Sequence, residues 1–235
     1  MKAIIPAAGS GTRLGLGCKA LVNIEGKPLI EYALDTVKRL GIGIEEAVII
    51  QNEKDLENSI GYEYQGLMLL YVTQIEKKGI ADAVMLTRDL VATDDVFIIF
   101  SDIYFNGDLK ELRTFFDAAS NYICVKKVPN KEMIKQSYGV TRKKVLVEKP
   151  TDVTHLMGWL GLGIYMLRNE IFGAISKTPV SLRTNHVEFT EALNNLSNKE
   201  FINVSGDYVN INFPADLEKA IRKERSRSTP RLIRR

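Results

Sequence analysis

The chain has 235 residues, 45% of them apolar and 26% charged, with a formal net charge of +3. That length fits one large domain or two small ones, and that apolar fraction supplies a core and argues against disorder. No run of about 18 apolar residues offers a membrane span, no leader-like pattern precedes the first apolar segment, and Cys18 and Cys124 show neither a disulfide framework nor zinc spacing, so a reducing, cytoplasmic setting is expected.

In chain order, the apolar run ending at Ile5 predicts a buried strand. It opens into "PAAGSGTRLGLGCKAL" (6–21), a loop rich in glycine that also carries Arg13 and Lys19. Glycine lets backbone N–H groups approach an anion closely, and the two cations beside it would balance a polyphosphate. The dinucleotide fingerprint GxGxxG fails, because Gly9 and Gly11 are followed by Leu14 at its third glycine, and the second strand ends in Gln51–Asn52 with no acid for a ribose. A Walker loop fails for want of GK[ST]. Apolar residues at 29, 30, 33, 34, 37 and 40 predict a helix, with Pro28 at its first turn and Gly41 as its cap.

"AVIIQ" (47–51), "MLLYVTQ" (68–74) and "DVFIIF" (95–100) read as buried strands, and "GIADAVMLTRDLV" (79–91) as one helix. This βαβα order predicts an α/β fold, a Rossmann-like mixed, mostly parallel sheet with helices on both faces. After about residue 120, "NYICVKKV", "YGVTRKKVLVEKP" and "GWLGLGIYML" read as shorter strands covering the first half. A last helix begins at Pro214, and no internal repeat, hexapeptide or other, occurs. Residues 222–235 hold seven Arg or Lys against one Glu, leaving −3 on the rest. They read as a solvated tail after a domain spanning 1–221, and such a tail is not the folded basic face of a nucleic-acid binder.

The longer pattern "AAGSGTRL…KAL…GKPLIEYAL" resembles the signature of the sugar-1-phosphate nucleotidyltransferases, of the glucose-1-phosphate thymidylyltransferase and uridylyltransferase type. The likeness continues in "QIEKKGIADAV" (74–84), similar to the family's base-recognition segment, and in "FSDIYF" (100–105), similar to its metal-binding aspartate segment. "YGV" (138–140), "VEKP" (147–150) and "GLGIY" (161–165) resemble the sugar-phosphate pocket, and "EFTEAL" (188–193) and "YVNINFPADLEKA" (208–220) the closing elements. Three departures stand out. The loop before Lys19 is short, as in cytidylyltransferases acting on small alcohol phosphates; Ser101 precedes Asp102 where Gly is usual; and Tyr208-Val209-Asn210 stands where Trp-x-Asp is frequent.

The resemblance implies an enzyme that transfers NMP from an NTP to a sugar 1-phosphate and releases pyrophosphate, with the nucleotidyltransferase, glycosyltransferase-A-like fold. It implies that Ala8, Gly9, Gly11 and Thr12 cradle the nucleotide and that Gln74 and Gly79 read a uracil or thymine. A glutamine amide can both donate and accept toward such an edge. Arg13 would bind the β- and γ-phosphates, Lys19 the α-phosphate side, and Lys149, with Gly139 and Glu148, the sugar phosphate. Asp102 and Asn210 would hold Mg²⁺. The implied partners are the two substrates, with no nucleic acid or membrane, and the pattern is compatible with a homo-oligomer. A cytidylyltransferase of a small alcohol phosphate such as inositol phosphate, and an inactive nucleotide-sugar-binding regulatory homologue, remain the alternatives. Cys18, with no histidine near it in sequence, reads as a small residue rather than a nucleophile. His155 and His186 show no ligand spacing, and Trp159 reads as core.

Overall fold

Runs of Val, Ile and Leu in the first half of the chain are buried on both faces, which is what parallel strands covered by helices require. The computed structural model describes residues 1–9, 11–15, 17–115 and 119–228, with backbone alone at Arg13 and Ser228. After β1 (Lys2–Pro6) and the glycine-rich loop come a small hairpin, β2 (Asn23–Ile24) and β3 (Lys27–Pro28), and the helix α1 (Leu29–Leu40). There follow β4 (Glu46–Gln51), α2 (Asp55–Ile60), β5 (Glu63–Tyr64), β6 (Leu67–Thr73), α3 (Gly79–Met85), α4 (Arg88–Val91) and β7 (Val96–Ile99). The expected single helix over 79–91 is thus two. The break falls at Leu86 and Thr87, where the buried Thr87 hydroxyl donates to Val84 O at 2.7 Å, a local alternative to helix propagation.

The second half supplies β8 (Ile103–Gly107), α5 (Lys110–Thr114), β9 (Asn121–Lys127), β10 (Tyr138–Thr141), β11 (Leu146–Glu148) and the twelve-residue β12 (Leu156–Leu167). Then come α6 (Glu170–Lys177), α7 (Phe189–Asn194), β13 (Lys199–Asn203), β14 (Gly206–Asn210) and α8 (Pro214–Ser228). The main sheet runs β11-β10-β12-β7-β1-β4-β6-β5, with β9 joining β12 to β13. Its centre, β7-β1-β4-β6, is parallel, and β12 closes antiparallel on β7.

Alternation along the strands divides the core in two. Ala3, Ile5, Ala47, Ile49, Phe97 and Ile99 face α1, whereas Ile4, Ile50, Val96 and Ile98 face α3, α4, α6 and α7. Helices therefore cover both faces, as the sequence predicts. The strand ends that emerge above this sandwich, after β1, β6 and β7, carry the loops in which Gly9, Lys19, Gln74 and Asp102 lie, while Gly139, Glu148 and Asn210 come from β10, β11 and β14.

The antiparallel ribbon β8–β14 stands outside the main sheet and is backed by α8. Here the structure moves a sequence boundary: α8 runs through residue 222 to Ser228, so the basic segment begins as folded helix and not as tail. Its charges have partners. Lys223 pairs with Asp207, Arg225 Nε donates to Glu25 Oε1 at 3.0 Å, and Glu224 accepts from the Tyr104 hydroxyl at 2.7 Å. Residues 229–235 lie outside the described residues.

Tyr104 is fully buried, and burial pushes its hydroxyl well above the ordinary tyrosine range, with the Glu224 contact adding to the effect. Glu224→Ala removes the acceptor of a buried donor and is expected to cost about 1–3 kcal/mol. That is a fall in Tm of roughly 2–4 °C per kcal/mol, readable by calorimetry. Tyr104→Phe, which removes the buried donor itself and so strands no buried hydrogen, should cost less. Equal or reversed losses would contradict the assignment.

Candidate active site

The glycine-rich loop leaves β1 and doubles back on itself. Gly11 adopts φ 55°, and a Cβ there would sit 2.5 Å from Gly17 O, so a side chain fits neither the backbone angle nor the space. Thr12–Leu14 form a single 3-10 turn, and Lys19 N then donates to Gly9 O at 3.3 Å, which closes the loop. Ala8 and Gly9 line a cavity of 320 Å³ together with Lys19, Gln74 and Gly79. Gly11 and Thr12 shape the loop without lining that cavity. The Arg13 side chain lies outside the described residues.

Lys19 Nζ donates to Asp102 Oδ2 at 2.9 Å and to Asn212 Oδ1 at 3.1 Å, and its side chain is only 13% exposed. Asp102 sits in the turn after β7. Ser101 anchors that turn, its buried hydroxyl donating to Pro6 O at 2.9 Å. The ribbon brings in the other candidate ligand: β14 pairs with β8 so that Asn210 lies opposite Ile103, and Ile211 N donates to Asp102 O at 2.9 Å.

Asp102 Oδ1 and Asn210 Oδ1 are both buried and accept no hydrogen bond among the described residues. Two orphaned oxygens, one of them from a carboxylate, suit a hard divalent cation that takes its remaining ligands from phosphate and water. They fit the divalent metal that nucleotidyltransferases generally use. Among the described residues no group of three or more His, Cys, Asp or Glu gathers to form an all-protein metal cage.

A second cavity, of 560 Å³, meets the first at Gly79, Ile80, Phe100 and Asp102. Glu148, Lys149 and Thr190 line it, as do Tyr138, Tyr165 and Tyr208. Glu148 is held by the Thr190 hydroxyl, which donates at 2.6 Å, yet burial outweighs that bond and raises its carboxyl above the usual range. Lys149 adopts φ 42°, a conformation that costs a non-glycine residue free energy, and its N–H donates to Ser137 O at 2.7 Å. The Tyr138 ring packs where a Cβ on Gly161 would stand, 2.0 Å from its Cζ, so this wall of the cavity needs a glycine. Gly139 does not line the cavity; the space of its missing side chain is taken by Ile134 and Leu156.

Gln74 is buried, and its Nε2 donates to Gly79 O at 3.1 Å and Asp82 Oδ2 at 2.8 Å. The expectation that its amide both donates and accepts toward a base is revised, because the donor side is spent inside the protein.

Among the cavity residues that the sequence reading does not assign to the site are Asn212, Thr184 and His186. Asn212 is identified only by the atom that reaches Lys19. Thr184 and His186 belong to the segment after α6, which folds back over the cavity through the bridge between Val180 and Val187. Cys18 has its thiol pushed up by burial, away from thiolate chemistry. Trp159 packs on Phe201 with ring centroids 5.8 Å apart, and His155 lies at the surface beside Asp152.

The nucleotidyl transferase family model matches residues 2–207. The chain is 27% identical over 250 residues to a UTP–glucose-1-phosphate uridylyltransferase of Haloferax volcanii, covering 97% of this chain and 98% of that protein. It is 31% identical over 205 residues to a bifunctional sugar-1-phosphate nucleotidylyltransferase/acetyltransferase of Sulfurisphaera tokodaii, covering 83% of this chain and 47% of that protein. The chain thus spans about half the length of such bifunctional relatives. A crystal structure of UDP-glucose pyrophosphorylase complexed with UDP-glucose superposes with a TM-score of 0.84 at 20% identity, over 96% of this chain and 98% of that one, and so shares its fold. On the family match, which spans most of its length, the chain belongs to the nucleotidyl transferase family.

Proposed function

We propose that the chain transfers a nucleoside monophosphate from UTP or dTTP to a sugar 1-phosphate, forming a nucleotide sugar and releasing pyrophosphate. The observation that carries this reading is the meeting of two cavities at Asp102. One is bounded by the glycine loop and Gln74, the other by Glu148 and Lys149. The name of the Haloferax volcanii relative, a UTP–glucose-1-phosphate uridylyltransferase, supports the same pair of substrates.

The reaction needs no side-chain nucleophile. A phosphate oxygen of the sugar 1-phosphate bonds to the α-phosphorus while the bond from that phosphorus to the pyrophosphate oxygen breaks, and the pyrophosphate carries away the electron pair. The obstacle is repulsion, because two unit charges 4 Å apart repel by about 4 kcal/mol at an effective dielectric of 20. Lys19 neutralises the α-phosphate from the nucleotide side and Lys149 the attacking phosphate from the sugar side, so that positioning and electrostatics do the work. Arg13, on the same loop as Lys19, binds the β- and γ-phosphates. Glu148 accepts hydroxyl hydrogens from the sugar. Asp102 and Asn210, whose orphaned oxygens face this junction, would hold Mg²⁺, and the ion would supply positive charge to offset that of the phosphates.

Purified protein with Mg²⁺, assayed for pyrophosphate against UTP, dTTP, CTP, ATP and GTP and a panel of sugar 1-phosphates, is expected to work best with UTP or dTTP. Asp102→Ala should lower turnover by about 10²–10³-fold. Nucleotide binding with no pyrophosphate release would replace this reading with that of a regulatory homologue; best turnover with CTP and an alcohol phosphate would replace it with a cytidylyltransferase.

The Glu148 carboxyl accepts from sugar hydroxyls more strongly when ionised than when protonated, and burial raises its pKa. Binding of the sugar phosphate is therefore weakened as pH falls through a pKa above the ordinary glutamate range. The profile of kcat/KM for the sugar phosphate should show this acid limb. Glu148→Gln should abolish the limb and lower the plateau by about 10–100-fold, the worth of a hydrogen bond to a charged group. An unchanged limb in the variant would assign it to another group.

A further inference from the structure

Gln74 continues the line of β6, with its backbone N–H on Gln51 O at 2.8 Å, and its side chain turns toward the start of α3. Both amide hydrogens meet oxygens, Gly79 O at 3.1 Å and Asp82 Oδ2 at 2.8 Å. A carbonyl and a carboxylate can only accept. Turning the amide over would set Oε1 against two acceptors, so the side chain has one orientation. Its Oε1 accepts nothing among the described residues, and Gln74 lines the cavity that holds Lys19 and the glycine loop.

We propose that Asp82 is a positioning residue for base selection, locking the Gln74 amide so that only its carbonyl oxygen is offered to the base. The proposal rests on the reading of Gln74 as the base contact and deepens it. An acceptor facing ring position 3 matches uracil and thymine, whose N3 carries a hydrogen. It opposes cytosine, whose N3 presents a lone pair in the same pose. A glutamine free to turn over would suit either base, so discrimination comes from the acceptors behind the amide, and the charged Asp82 carboxylate, at the shorter distance, dominates over the Gly79 carbonyl. Asp82 also lies in the first turn of α3, where a carboxylate favours the helix. That role alone would leave the ratio of pyrimidine donors untouched.

The test compares kcat/KM for the better of UTP and dTTP with kcat/KM for CTP in the full chain. Asp82→Asn offers an NH₂ as well as a carbonyl and so removes the stronger of the two acceptors that oppose a turned amide, leaving only Gly79 O; the ratio should fall tenfold or more at unchanged Tm. Gln74→Ala should collapse the ratio too, and the double variant should fall no further than Gln74→Ala alone. If Gln74→Ala collapses the ratio while Asp82→Asn stays within twofold of wild type, the proposal fails and the base contact stands. A wild-type chain that prefers CTP or a purine triphosphate, or a Gln74→Ala ratio equal to wild type, overturns the base contact and the proposal with it. Asp82→Ser, which removes the carboxylate with less bulk, carries the same measurement if Asp82→Asn does not fold.

Discussion

The ion pair between Lys19 and Asp102 is the constraint on which this site depends. It joins the loop after β1 to the turn after β7, and Asn212, beyond β14, shares the same ammonium. With Lys19 only 13% and Asp102 33% exposed, neither charge is well solvated, so each needs the other. Removing one partner of such a pair costs more than the pair contributes, because the charge left behind is unpaired. The pair also sets the electrostatic starting point: before any substrate arrives the junction is close to neutral. An anionic substrate then finds a cation already held in place by a carboxylate and an amide, and little reorganisation is needed to share it.

Much of this architecture is legible in the sequence because it follows from period and residue type. The β-branched runs at 47–51 and 95–100 cannot be solvated and become central strands. The stripe from Leu29 to Leu40 becomes the helix on one face. The candidate residues Lys19, Gln74, Asp102, Lys149 and Asn210 are brought around two adjoining cavities. What cannot be read is the partner each polar atom takes. Lys19 finds Asn212 only because the ribbon β8–β14 folds beside the sheet, and Thr87 breaks a helix only because its hydroxyl has somewhere local to donate. The segment from residue 222 looks like a tail by charge, but Glu224 meets the buried Tyr104, a contact between residues remote in sequence.

Gln74 shows the same limit at the level of one amide. Its residue type promises a donor and an acceptor, and its neighbours decide which survives. Spending the donor on Gly79 and Asp82 fixes the side chain at the cost of versatility, and a fixed acceptor discriminates better than a mobile amide. On the proposed base contact, a wrong base would meet a lone pair that cannot turn away.

Ser101 and Asn210, which depart from the family pattern in sequence, have separate physical reasons. The Ser101 hydroxyl is buried and donates to Pro6 O, so it ties the end of β7 to the end of β1 directly beneath Asp102. A glycine there would leave that carbonyl with the Ser101 backbone N–H alone, at 3.3 Å. Asn210 presents a buried, unpartnered oxygen toward the same junction without adding charge. A second carboxylate there would give a partly buried site two negative groups and one ammonium, and the excess would raise the cost of bringing in phosphates. With asparagine, Lys19 and Asp102 balance each other, and the negative charge that completes a cation's coordination comes with the substrates.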